Sequence, residues 1–477
     1  MKKLLCILLT VLISMTGCQN QKVDEPKDKT PSVDQNQSST EDSGQESETS
    51  DKTTPTEDNM TSKNEGTLQE IAKHFLDTFT QGEFKKLLTE FAYDPIMASQ
   101  LTEKTLETIS QQITSGSGEF QEVTSAYETE EQGYTIVNMI SKFTNLTLNI
   151  RVVFNDDKTI AGFNFLPYNE KKLPSNVMEE SITFGSEEYP LTGALTFPKD
   201  GSDYPVVILV HGSGPNDMDE TIGPNSPFKD IAYALSEQGI GVLRYNKRTL
   251  EHTNKVIKEA ESLTVYEETI DDVVYAYNYL KKEKNIEANI YILGHSLGGY
   301  LMPRIATEIP EANGYIMLAG SASPLEDLFE YQIPYLANLD GTITDEEQVS
   351  IDYFKSVVEK VRKLDESSDY SIQELGGVSK AYWLDLKDYD PLALAKTIQK
   401  PLLILQGSRD YQVTVDEFNL YKKGLSDMDN VSFKLYEGLN HLFLKGEGTP
   451  GPEEYGIPST VDSAVLEDIT TFIKNTK

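Results

Sequence analysis

Directly after the apolar run Ile290-Tyr291-Ile292-Leu293 the chain reads Gly294-His295-Ser296-Leu297-Gly298-Gly299 and continues with residues of helical character. A strand that reverses sharply into a helix folds backbone onto backbone, so the turn accepts only small residues on either side of its tip. The G-x-S-x-G spacing satisfies that demand with Gly294 and Gly298, and it projects the Ser296 hydroxyl above a sheet from strained backbone. Ser296 is therefore the candidate nucleophile. The alternative is a serine with a purely structural role.

The surrounding pattern supplies the sheet that such a turn requires. After Pro174, short β-branched runs alternate with amphipathic stretches. Strands are predicted at Pro205–Val210, Gly241–Tyr245, Ile290–Leu293, Tyr315–Leu318, Pro401–Leu405 and Val431–Tyr436. Helices are predicted at Phe228–Gln238, about Val265–Glu283 and Val461–Ile473. Near-continuous apolar strands separated by helices imply a mostly parallel sheet covered on both faces, an α/β architecture.

A serine nucleophile needs a base, and the chain has five histidines. His74 lies outside this region on an amphipathic helix, His295 is held in the turn pointing away from Ser296, and His211 belongs to another loop. His252 sits in a polar stretch that reads as surface loop. His441, in Gly438-Leu439-Asn440-His441-Leu442-Phe443, follows the last strand and precedes the final helix, where a loop can return to the top of the sheet; it is the expected base. A carboxylate at a strand's C-terminal end must orient it. Asp410, after the Leu402–Leu405 strand, fits, with Asp416 and Asp385 as rival acids. The oxyanion of the reaction needs two backbone N–H groups: Leu297, after the nucleophile, and one from His211-Gly212-Ser213-Gly214-Pro215, where Ser213 is preferred to Gly214.

These four segments resemble the α/β-hydrolase superfamily, and more closely its bacterial esterases that carry a small domain ahead of the hydrolase domain. The resemblance covers about residues 175–477, and the runs His211-Gly212-Ser213-Gly214-Pro215-Asn216-Asp217, Gly223-Pro224-Asn225 and Leu243-Arg244-Tyr245-Asn246-Lys247-Arg248 belong to it. Asn246 departs from it, because such proteins have Asp there. Residues 321–397 form an insertion expected to be a helical cap over Ser296, with Tyr331, Tyr335, Tyr382 and Trp383 either lining a pocket or packing within the cap. The resemblance implies a serine carboxylesterase for short- to medium-chain acyl esters, with no cofactor and no metal. A serine peptidase related to prolyl oligopeptidases, an acyltransferase and a cell-envelope binding lipoprotein are the rival readings.

The N-terminal part has a different character. Lys2 and Lys3 precede an apolar run from Leu4 to Met15 that is too short to span a bilayer and reads as an export signal over 1–17. Met15-Thr16-Gly17-Cys18 resembles the lipobox of bacterial lipoproteins, which implies cleavage before Cys18, its acylation, and anchoring to the membrane outside the cytoplasm. Residues 18–66 are polar and acidic, with Val23, Val33 and Met60 the apolar exceptions, and are expected to be a disordered tether reaching roughly 35–40 Å. Residues 67–168 read as a small α+β domain: an apolar stripe at Leu68, Ile71, Ala72, Phe75, Leu76 and Phe79, a second helix around Leu106, Ile109 and Ile113, then a four-strand meander with a turn at Asn155–Lys158. This domain resembles the cone-shaped, nuclear-transport-factor-2-like type. The net charge of −35 makes nucleic acid an unsuitable partner. Both cysteines, Cys6 and Cys18, precede the folded regions, which excludes disulfides and thiol catalysis there.

Overall fold

A computed structural model describes residues 64–131, 134–201, 203–286 and 289–476. The expected export signal, Cys18 and most of the expected tether lie outside the described residues.

The small domain is built as its apolar spacing demands. Helix α1, Leu68–Thr80, opens with a capping box between Thr67 and Glu70 and buries Ile71, Ala72, Phe75, Leu76 and Phe79. Two short helices, α2 (Phe84–Glu90) and α3 (Pro95–Gln100), precede α4 (Glu103–Ser117), which buries Leu106. The antiparallel meander follows as β1 (Phe120–Glu131), β2 (Tyr134–Phe143), β3 (Thr147–Phe154) and β4 (Ile160–Pro167), in that spatial order. β3 alternates buried and half-buried residues and turns Leu148, Ile150, Val152 and Phe154 onto the helices. Lys158 takes the left-handed conformation in the β3–β4 turn. Asn64 is already part of this packing: its side chain accepts from Ala92 N–H and donates to the carbonyls of Ala92 and Lys158.

The larger region holds an eight-stranded sheet of β5 (Val177–Gly185), β6 (Pro190–Pro198), β7 (Val206–Val210), β8 (Gly241–Tyr245), β9 (Ile290–His295), β10 (Gly314–Leu318), β11 (Leu402–Gly407) and β12 (Val431–Tyr436). The spatial order is β12-β11-β10-β9-β7-β8-β6-β5. β7 to β12 pair in parallel, while the β5–β6 hairpin joins β8 antiparallel at one edge. The central strands are buried on both faces, and their alternate residues feed two apolar clusters, one under each helical layer. The hairpin was not foreseen, because its exposed positions are interspersed with Glu179, Glu180 and Thr residues and break the apolar runs.

The helix predicted over about Val265–Glu283 is divided. A π-helical turn at Tyr266–Ile270 runs into α-helix Asp271–Lys282. The insertion is helical, with Leu325–Ala337, Asp345–Lys363, Lys380–Leu386 and Pro391–Ala395. Trp383 is 1% exposed there and donates its indole N–H to Leu375 O at 3.0 Å. The segment joining the two regions is tied down: Asn169 donates to Ser459 O at 2.8 Å, and Lys171 pairs with Asp230, whose other oxygen accepts Val461 N–H.

Arg244, 1% exposed on β8, secures the sheet edge by pairing with Glu179 of β5 and with Asp219. Removing one member of a buried ion pair strands its partners, so Arg244→Met is expected to cost about 3 kcal/mol. The measurement is urea unfolding, with a lower midpoint at an unchanged slope.

Candidate active site

The turn after β9 takes the form that its glycines allow. Ser296 has φ 53° and ψ −113°, and its N–H donates to Leu318 O at 2.9 Å. Its carbonyl accepts Tyr300 N–H, which starts the following helix. A side chain at Gly294 would overlap the Gly298 carbonyl, and one at Gly298 would meet Val210 O at 2.5 Å and His211 O at 2.8 Å. The same turn therefore presses against the end of β7, where the loop carrying Gly212 begins.

His441 and Asp410 are brought together from the loops after β12 and β11. His441 Nδ1 lies 2.7 Å from Asp410 Oδ2. Asp410 Oδ1 accepts the N–H groups of Gln412 and Val413, and Oδ2 also accepts from Gln406 Nε2 at 3.0 Å. This set holds the carboxylate rigidly, and an acceptor at Nδ1 places the hydrogen there and leaves Nε2 free to take a proton. Asn440 shapes the histidine loop by accepting Leu442 and Leu444 N–H, and Phe443 takes φ 58°.

The other candidates have different partners. Asp416 is exposed in the first turn of helix Val415–Gly424, and Asp385 pairs with Arg304 at 2.8 Å. His252 Nε2 lies 2.7 Å from the accepting carbonyl of Pro190 near the surface, and His74 lies beside Phe91 and Glu90. His211 is buried between Phe228 and Tyr245, with Nε2 at 3.0 Å from Asp217 O. Burial pushes it down to about 4, against the pull of Glu220. His295 meets acceptors at both nitrogens: Glu220 Oε2 at 2.9 Å from Nδ1 and His441 O at 2.9 Å from Nε2. Burial opposes its charge, but the Glu220 carboxylate prevails and holds His295 above its ordinary range.

The two candidate oxyanion donors adjoin this turn in the chain, Leu297 directly after Ser296 and Ser213 directly after Gly212. Gly212 lies against Ser296, since a Cβ on Gly212 would stand 3.2 Å from Ser296 Cβ. Its N–H donates to Glu220 Oε1 at 2.7 Å, and its carbonyl accepts from Lys247 Nζ at 2.8 Å. Sequence reasoning missed Glu220, Lys247 and Glu268. Their burial depends on which loops meet, and a charged residue in a polar run carries no sign of it; φ 51° at Glu220 is visible only in the fold.

Tyr331 and Tyr335 of the insertion reach the loop after β11 and the one after β12: their hydroxyls donate to Gln412 O and Pro450 O. They line an open cleft of about 570 Å³ beside Asp410, Tyr411 and Asp416. Tyr382 and Trp383 are packed inside instead. Asn246, the departure noted above, accepts Met218 N–H and donates to Thr192 and Glu251. An aspartate there would face the Glu251 carboxylate, so the amide suits this loop.

A histidine kept neutral by burial draws more protons when unfolded, so the contribution of His211 to stability falls as pH falls from 6.5 toward 4. By pH 4 His211 alone is expected to remove about 3 kcal/mol. His295, with its raised value, contributes fully below 6.5 and loses its contribution only as pH rises, so it leaves this window unchanged. Urea titrations between pH 7 and 4.5 test this: His211→Gln is expected to flatten the decline, and an unchanged slope would show that His211 does not carry it.

Residues 204–448 match the family described as serine aminopeptidase, S33, and residues 72–163 match one described as a protein of unknown function, DUF3887. Esterase EstD of Thermotoga maritima is 36% identical over 415 residues, covering 86% of this chain and 96% of the relative. Protein phosphatase methylesterase 1 of Schizosaccharomyces pombe is 25% identical over 178 residues, covering 36% of this chain and 49% of its own length. Among solved structures, Est1E from Butyrivibrio proteoclasticus aligns at 18% identity and TM-score 0.39, over 62% of this chain and 96% of that one. The chain thus belongs to the serine hydrolases of the α/β-hydrolase superfamily, as a member of the esterase type with an accessory domain ahead of its hydrolase domain.

Proposed function

We propose that the protein is a carboxylesterase acting on short- to medium-chain acyl esters through a covalent acyl-enzyme, with Ser296, His441 and Asp410 as its triad. The 2.7 Å contact of His441 Nδ1 with Asp410 Oδ2, beside the strained turn at Ser296, carries this reading. Ser296 Oγ adds to the ester carbonyl while His441 Nε2 takes its proton. The negative oxygen of the tetrahedral adduct rests on the N–H groups of Leu297 and Ser213. The adduct collapses, His441 returns the proton to the departing alkoxide, and the acyl group stays on Ser296. Water activated by His441 then releases the carboxylic acid. Asp410 keeps the imidazole in the productive tautomer and stabilises its cation.

The test is hydrolysis of p-nitrophenyl esters from acetate to palmitate. Ser296→Ala is expected to abolish turnover, and Asp410→Asn to lower kcat by about 10⁴-fold, as loss of the orienting acid does in other triads. Turnover is expected to be greatest on the shorter acyl chains. The family description favours a second reading, cleavage of an N-terminal aminoacyl amide. Aminoacyl p-nitroanilides decide it, because turnover of these with none on the esters would overturn the esterase reading.

We further propose, from the lipobox-like Met15-Thr16-Gly17-Cys18, that the protein is held outside the cytoplasm by a lipid anchor at Cys18. Cys18→Ser is expected to move the protein from the membrane fraction to the soluble fraction and to abolish its labelling by radioactive palmitate. Retention and labelling without the cysteine would refute the anchor.

A further inference from the structure

A buried cation sits directly behind the candidate oxyanion loop. Lys247 follows β8, is 1% exposed, and donates from Nζ to Gly212 O at 2.8 Å. Asn216 Nδ2 reaches the same oxygen at 3.3 Å. Lys247 also contacts Glu268 Oε1 at 2.5 Å, and Glu268, fully buried in the π-helical turn, accepts at Oε2 from the Tyr382 hydroxyl at 2.6 Å. Tyr382 lies in helix Lys380–Leu386 of the insertion.

We propose that Lys247 is a positioning residue of the oxyanion hole: its ammonium holds the Gly212–Ser213 peptide so that the Ser213 N–H faces the oxyanion, and Glu268 and Tyr382 hold Lys247. This rests on the reading that Ser213 supplies one of the two donors. The carbonyl of Gly212 and the N–H of Ser213 belong to one peptide unit. No peptide bond among the described residues is cis, so these two groups point in opposite directions within one plane. A donor that fixes the carbonyl therefore fixes the direction of the N–H. A cation on the carbonyl also polarises the amide and strengthens its N–H as a donor.

The preceding peptide is anchored as well, since Gly212 N–H donates to Glu220 Oε1. Gly212 has no side chain to pack and stands against Ser296, so polar anchors on both flanking peptides take the place of packing. Stability alone does not account for the charge, because a buried ion pair is rarely better than an apolar pair of the same volume. Through Tyr382 the network also joins the insertion to the oxyanion loop, so the donor's direction depends on the cap being seated.

Lys247→Met combined with Glu268→Gln removes both charges and leaves neither stranded. End-point labelling with a fluorophosphonate counts folded Ser296 sites, and kcat is expressed per labelled site. The expected result is a kcat lower by roughly 10- to 100-fold, within the cost of losing one oxyanion donor, at nearly constant KM. Affinity for a trifluoromethyl ketone, which forms a tetrahedral adduct on the serine, is expected to fall by the same factor as kcat/KM. A kcat per site close to wild type overturns the proposal, as does a fall that the ketone affinity does not follow. If the double variant yields no labelled sites, Tyr382→Phe decides: a several-fold lower kcat with unchanged KM supports the proposal, and an unchanged kcat overturns it. Absence of Ser296-dependent ester turnover in the wild type refutes the hydrolytic reading and this one together. Full turnover in the variants refutes only the role of Lys247.

Discussion

The close approach of backbone to backbone at Ser296 governs how the larger region is put together. Holding a non-glycine residue at φ 53° costs about 1–3 kcal/mol, and the surrounding structure must supply it. It does so by making the turn the meeting point of β9, β10 and the end of β7: Ser296 N–H bonds Leu318 O, and Gly298 lies on the carbonyls of Val210 and His211. The central strands are buried on both faces, which makes this junction rigid. Ser296 and the Gly212 loop opposite it are thereby set by the sheet itself.

Several charged groups are buried in and around the loops at this junction. Glu220 receives Gly212 N–H and pairs with His295; Lys247 holds Gly212 O and pairs with Glu268; Arg248 and Asp272 form a further buried pair, with Asp272 pushed up to about 6 by burial. Each of these groups would be costly alone, and each is paired with a group from another element. His295 also donates to His441 O, so one ring links the strand that ends at Ser296, the Glu220 carboxylate and the His441 loop. The three loops that meet above the sheet are therefore joined by hydrogen bonds as well as by packing.

Much of this plan was legible from the residues. The stripe Ile71, Ala72, Phe75, Leu76, Phe79 announces its helix because an apolar face has to be buried, and the runs at β7 to β12 announce strands covered on both sides. Ser296, Asp410 and His441 could be selected as candidates because each stands at a strand's end in a turn with few alternatives. The β5–β6 hairpin escaped notice because an edge strand has one face in water and mixes Glu and Thr with its apolar residues. The division of the long helix at Tyr266–Ile270 left no trace either, since the register of backbone hydrogen bonds changes there without a break in apolar spacing.

The sequence by itself determined the apolar face of the first helix, the doubly covered central strands and the glycine-flanked turn at Ser296, because periodicity and glycine placement act over a few residues. Tertiary structure alone decided that Lys247, Glu220 and Glu268 are interior residues, that Tyr331 and Tyr335 line a cleft while Tyr382 and Trp383 are packed away, and that His441 meets Asp410. Those outcomes depend on which distant segments share a volume. An ammonium or a carboxylate is compatible with water everywhere along a chain and becomes a structural element only where the fold has excluded water and brought its partner.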